Sequence, residues 1–206
     1  MPSFVEQLRA ADQPRADARR NADKLLAAAR AALDEQGLAA TTRDVARRAG
    51  VGLGTLYRRF PSLDSVFTAI VLDLVAELTA LADAGRHDPD PAAAFGAFAT
   101  RYVHLLSTSR GLNEALSRPR QPELTAQVLR LSAAVRRLVR HAQEHGTVRE
   151  DLDWRDVAFA LASAVPAEHT VGVPARPDQW RRTLDVVLSG LAPAGSSLTT
   201  SGDRAR

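Results

Sequence analysis

Along most of the 206-residue chain, apolar residues recur every three or four positions, the spacing that lines one face of an α-helix. Leu25, Leu26, Ala29 and Leu33 do so over residues 21–36, and Gly37 then offers a stop. Val45, Ala46 and Ala49 make a short second stripe that breaks at Gly50, and Val51, Leu56 and Phe60 make a third. Residues 62–84 run on without Gly or Pro as a long apolar-rich helix. Beyond it, Gly and Pro breaks separate helices over residues 91–107, 110–117, 122–145, 154–165 and 177–191, with Asp90 and Asp153 placed as caps. No segment alternates with period two for long enough to make a strand, so the pattern predicts an all-α protein.

The most specific stretch is residues 41–62, TTRDVARRAGVGLGTLYRRFPS. Two short helices joined at Gly50, with Thr42 placed to cap the first, make a helix-turn-helix, whose second helix lies in the DNA major groove. Residues 52–60 would be that reading helix. Gly52 opens it as a DNA-binding candidate, Gly54 allows the backbone to approach DNA closely, and Leu53 suits a thymine methyl. Thr55 and Tyr57 offer hydroxyls to phosphate oxygens, and Arg58 and Arg59 add charge. Thr42 and Arg43 open the preceding helix, where an arginine can fork onto guanine O6 and N7. Leu56 and Phe60 should face inward.

The order T-x-R-D-V-A-x-x-A-G-V-x-x-G-T-L-Y-R-x-F-P-S resembles the DNA-binding domain of the TetR family of bacterial repressors, densely over residues 23–70. The resemblance implies a three-helix DNA-binding domain at residues 15–62 and a larger helical ligand-binding and dimerisation domain at 63–192. An extension at 1–14 and a disordered tail at 193–206 flank them. In this resemblance the long helix ties the head to the second domain, and Arg43 matches a residue that reads a base in some relatives. One departure stands out: relatives place a lysine at the start of the long helix, and this chain has Leu63 and Asp64. Free N–H groups behind Ser62 remain available to a phosphate there.

Charge sharpens the picture. The whole chain is only +3, yet residues 15–60 hold ten basic and five acidic side chains, so positive charge gathers where phosphates would lie. Pro14, Arg15, Arg19 and Arg20 read as a basic arm leading into the first helix. The absence of cysteine removes disulfides, zinc-thiolate sites and thiol catalysis. No run approaches the roughly 20 apolar residues of a membrane helix and no signal peptide is visible, so a cytoplasmic location without membrane contact is expected.

In the body, Phe95, Phe98, Tyr102, Leu105 and Leu106 form one stripe and Val128, Leu131, Val135 and Leu138 another. These read as core, or, as the resemblance implies, as walls of a cavity for an unidentified small-molecule ligand. In that case Phe98, Tyr102, Leu131 and Val135 would line it, with His104, Asn113 and Ser163 as polar groups. Val157, Leu161 and Val165, then Trp180, Leu184, Val187, Leu188 and Leu191, read either as core or as the seam of a homodimer. Pairing answers a physical need, since a single short reading helix buries too little surface for tight specific binding.

His141, Glu144 and His145 spell H-x-x-E-H, a zinc-hydrolase pattern, but Arg136, Arg137 and Arg140 crowd the same turns and would oppose a cation. No other catalytic motif and no cofactor motif is present, so no enzyme is expected. The sequence therefore predicts a homodimeric DNA-binding transcription regulator, a repressor released from a palindromic operator by a small molecule. A regulator of the same fold under the control of a protein partner is the alternative, and a metal-dependent hydrolase is the remote one.

Overall fold

A computed structural model describes residues 3–10, 16–117 and 121–194. Among these residues the elements are helices α1 (Phe4–Ala10), α2 (Ala16–Gln36), α3 (Thr42–Ala49), α4 (Leu53–Arg59), α5 (Leu63–Gly85), α6 (Pro91–Thr108), α7 (Arg110–Ser117), α8 (Pro122–Glu144), α9 (Trp154–Ser163) and α10 (Gln179–Leu191). A 3-10 turn at Gly37–Ala39 follows α2, and two-residue strands β1 (His169–Thr170) and β2 (Val173–Pro174) pair antiparallel between α9 and α10. The architecture is all-α, as the periodicity predicts. The sequence pattern predicts neither the seven-residue α1 nor the small hairpin, whose strands of two residues each are too short to show a period.

Contacts gather into two compact units, Met1–Ala76 with Thr108–Val128, and Glu77–Ser107 with Leu129–Arg206. This division places α7 and the start of α8 with the N-terminal helices. The basic arm at residues 14 and 15 and the tail from residue 195 lie outside the described residues, as do the side chains of Arg19 and Arg20.

In the first unit, Leu25, Ala29, Val45, Leu56, Phe60, Leu63 and Val66 converge on one interior point, so α2, α3, α4 and the first turns of α5 share a core. All seven are buried. α7 lies against α2 where Gly111 leaves no room: a Cβ added there would sit 2.2 Å from Leu33 Cδ1. The Glu114 carboxylate accepts the Leu38 N–H at 2.8 Å and an Arg110 guanidinium N–H at 3.0 Å, fixing α7 to the turn after α2. Asp73 on α5 accepts the N–H groups of Phe4 and Val5 at 2.6 and 3.0 Å, anchoring the positive end of α1.

The second unit packs Phe95, Phe98 and Leu105 of α6, Leu138 of α8, Val157 and Leu161 of α9, and Leu184 and Leu188 of α10 into a core that excludes solvent. The Asp153 side chain accepts from the Arg155 N–H and begins α9 with a capping box completed by Asp156. Asp90 caps α6 through the Ala93 N–H. Arg101 pairs with Glu77, and Arg137 with Asp83 at 2.7 Å.

One expectation needs correction. Among the described residues α5 is long and apolar enough to match a membrane-spanning helix, with a mean hydropathy of 1.8 over its most apolar window. More than half of that window is buried inside the fold, as for a core helix.

Candidate nucleic-acid interface

Thr41, not Thr42, caps α3. Its hydroxyl accepts from the Asp44 N–H while Asp44 accepts from the Thr41 N–H, a reciprocal capping box. Thr42 is instead the first helical residue, and is half-buried. The Thr41 hydroxyl and then the Thr41 N–H, with Arg47 and Arg43 nearby, hold the Asp44 carboxyl below the usual carboxylate range. α3 ends at Gly50, whose φ of 67° and ψ of 31° are left-handed, and the Val51 N–H returns to the Ala46 carbonyl. That closure makes the turn before α4 short.

α4 follows from Gly52, and its two sides differ sharply. Leu56 and Phe60 are 1% and 2% exposed and lock the helix to the head core. On the other side Gly52, Gly54 and Arg58 are exposed, Leu53 is 40% exposed and Tyr57 is 60% exposed. An Arg58 guanidinium N–H donates to the Thr55 hydroxyl at 3.3 Å, so these two present a joint polar surface. Arg43 is exposed at the start of α3. Arg59 closes α4, and its side chain lies outside the described residues. Two other arginines of the head are engaged elsewhere, Arg47 with Asp44 at 2.7 Å and Arg48 with Glu35. Ser62 accepts the Ser65 N–H at 3.1 Å and caps α5, with Asp64 exposed beside it.

The expected ligand-binding residues do not form one set. Phe98 and Tyr102 stack with ring centroids 5.9 Å apart, and Leu131 and Val135 are buried in the same unit. Burial pushes the Tyr102 phenol above its ordinary pKa. Asn113 is exposed on α7 in the first unit, and Ser163 is exposed with its hydroxyl donating to the Ala160 carbonyl at 2.7 Å. The His104 ring lies tilted against Trp180, with centroids 5.1 Å apart. Asn113 and Ser163 both face solvent, on the polar sides of their helices.

The residues read either as core or as a dimer seam lie mostly inside the subunit. Val157, Leu161, Leu184 and Leu188 have no exposed surface, Trp180 and Leu191 are buried, and Val165 and Val187 are half-buried, so most of the set is subunit core. The outward faces of α9 and α10 instead carry Phe159, 78% exposed, and Val186, 73% exposed. Each is a large apolar residue on the outer face of an amphipathic helix.

The His141 and His145 rings lie with centroids 4.3 Å apart, tilted at 59°, and the His145 Nδ1 meets the His141 carbonyl. Among the described residues no group of three His, Cys, Asp or Glu side chains is placed to hold a metal ion.

Comparison with known proteins bears on this geometry. Residues 25–70 match the family described as bacterial regulatory proteins, tetR family, and residues 90–193 match the transcriptional regulator SbtR-like, C-terminal domain. None of the curated proteins compared with the chain matches it. Among solved structures, a TetR transcriptional regulator from Streptomyces coelicolor is 32% identical, over 84% of this chain and 98% of that one, with a TM-score of 0.59. A TetR regulatory protein from Mycobacterium vanbaalenii is 28% identical over 86% and 98%, with a TM-score of 0.55. SmeT, the repressor of a multidrug efflux pump of Stenotrophomonas maltophilia, shares the fold at 22% identity over 89% and 96%, with a TM-score of 0.57, and is also known as a complex with triclosan. With its helix-turn-helix head, its helical body and these matches along most of its length, the chain belongs to the TetR family of bacterial transcriptional regulators, which are not enzymes.

Proposed function

We propose that the protein is a homodimeric cytoplasmic repressor that binds a palindromic operator through α4 of each subunit and leaves it when a small molecule binds the body. The observation that carries this reading is the two-sidedness of α4. Leu56 and Phe60 anchor it, and Leu53, Gly54, Tyr57 and Arg58 stand free on the opposite side. An anchored short helix with that outer surface suits a major groove, where side chains must reach base edges without the helix rocking.

Phe159 and Val186 supply an apolar surface for a second copy, and a twofold pair would set two reading helices about one DNA turn, roughly 34 Å, apart. α5 is unbroken from Leu63 to Gly85, a continuous link out of the head. A ligand with higher affinity for one spacing of the pair shifts the population toward it, and operator affinity falls if that spacing misses the half-sites. The triclosan complex of SmeT supports a small apolar effector as the type of ligand.

The test is selection of bound duplexes from a random DNA pool by the full-length protein. Enrichment of a dyad-symmetric site with half-sites one helical turn apart is expected. No preference among duplexes at any salt concentration would overturn the proposal.

A further inference from the structure

Four guanidinium groups meet around Trp154 at the junction of α8 and α9. Ser132, Ala133, Arg136, Arg137 and Arg140 of α8 and Trp154 of α9 line an open recess of about 430 Å³. The fourth group, Arg155, lies over the Trp154 ring at 5.0 Å. Two of the four are compensated, Arg137 by Asp83 at 2.7 Å and Arg155 by Asp153 at 3.2 Å. Arg136 and Arg140 are exposed one helical turn apart, and no described carboxylate lies within ion-pairing distance of either. The recess therefore has an apolar floor, from Ala133, the indole and the arginine stems, and a rim on which four arginines outnumber the two nearby carboxylates, Asp83 and Asp153, the latter shared by Arg155 and the field of Arg136.

We propose that this recess is a binding site for a small aromatic carboxylate. A guanidinium fork grips a carboxylate through two parallel N–H···O bonds, and Arg136 and Arg140 on one helix face can converge on a single anion. The indole and the methylene stems cover a flat ring. The volume suits a small molecule. The surplus of cations turns away metal ions and favours an anion. All the lining residues belong to the second unit, and the inference stands whether or not the chain binds DNA.

The test uses the full-length protein titrated with 1-naphthoate and, separately, with its uncharged analogue 1-naphthamide, read by calorimetry and by tryptophan fluorescence. Trp154 and Trp180 are the chain's two tryptophans, and only Trp154 lines the recess. Naphthoate should bind and quench, more weakly as ionic strength rises, and naphthamide should bind at least about tenfold more weakly. R136Q/R140Q should weaken naphthoate about tenfold or more, and W154F should abolish the fluorescence response while leaving weaker binding by calorimetry. Both arginines are exposed, so unchanged thermal melting of R136Q/R140Q will separate lost binding from lost fold. Equal affinity in R136Q/R140Q would place the ligand elsewhere and overturn the proposal, as would equal binding of the amide or no binding by the wild-type protein.

Discussion

Tyr57 and Arg58 are next to each other in sequence, and both face outward on α4 because Leu56 and Phe60 take the inward positions. Tyr57→Phe should weaken binding to the selected operator by a few fold. Arg58→Ala should weaken it about tenfold and reduce the salt slope by about one unit if its guanidinium meets a phosphate. Titrations at several salt concentrations check both, and unchanged slopes would move the phosphate contact to another residue. The inward positions were legible from spacing alone, since a buried side of α4 must repeat at i and i+4. The α3 cap was not: Thr41 and Thr42 are equally good capping residues, and only the path of the backbone distinguishes them. His104 carries a different kind of prediction. Burial first, and then Arg101 and Arg181, hold its imidazole below the ordinary value of 6.5. The folded protein thus binds this proton less readily than the unfolded chain. The neutral ring's contribution is complete above the unfolded pKa and is lost as pH falls from about 6.5 through the folded value. Denaturant midpoints of the wild type and His104→Gln should differ by a constant amount above pH 7 and converge as the medium becomes acidic.

At the level of elements, the long helices were legible because each buries a stripe that repeats every three or four residues, and Gly and Pro mark their ends within a few positions. What escaped was set by tertiary contact. α7 was readable as a helix at residues 110–117, but nothing local says that it leans on α2. The contact depends on Gly111, whose missing side chain lets Leu33 approach, with Leu33 itself fully buried. In an unconstrained helix Gly→Ala stabilises by about 1 kcal/mol. Here Gly111→Ala should destabilise by about 1 to 3 kcal/mol, because the new Cβ also lies 3.0 Å from the Leu33 carbonyl oxygen. A raised melting temperature would mean that α7 can move away from α2 at little cost. The hairpin between α9 and α10 also departs from local preference. Val171 and Gly172 form its two-residue tip with φ of 44° and 77°, the mirror-image turn that favours Asn-Gly. A β-branched residue is strained there, and Val171 is 95% exposed, so packing gives nothing in return. Val171→Asn should stabilise by about 1 kcal/mol, seen as a higher denaturant midpoint at constant slope.

At the level of the whole molecule, the residues that the sequence offers either as core or as a dimer seam are mostly enclosed within the subunit, and other residues of the same two helices face outward. Core and interface draw on the same apolar residues, so Leu184 and Val186 look alike in the sequence, although one is fully buried and the other is 73% exposed. The distinction has a measurable consequence. A charge at Leu184 would be forced into a dry core and should unfold the subunit, whatever its oligomeric state. A charge at Phe159 or Val186 meets solvent in the single subunit and meets its own symmetry mate in a twofold pair, where like charges oppose each other without water. Phe159→Glu with Val186→Glu should therefore leave helix content and melting of the subunit nearly unchanged while sedimentation shifts from dimer to monomer. Operator affinity should fall by about two orders of magnitude or more in the same protein, because one α4 alone buries too little surface for specific binding. The two measurements must move together. A charged variant that sediments as a dimer would move the pairing surface away from α9 and α10, and a monomer that still held the full operator would mean that one head suffices for recognition.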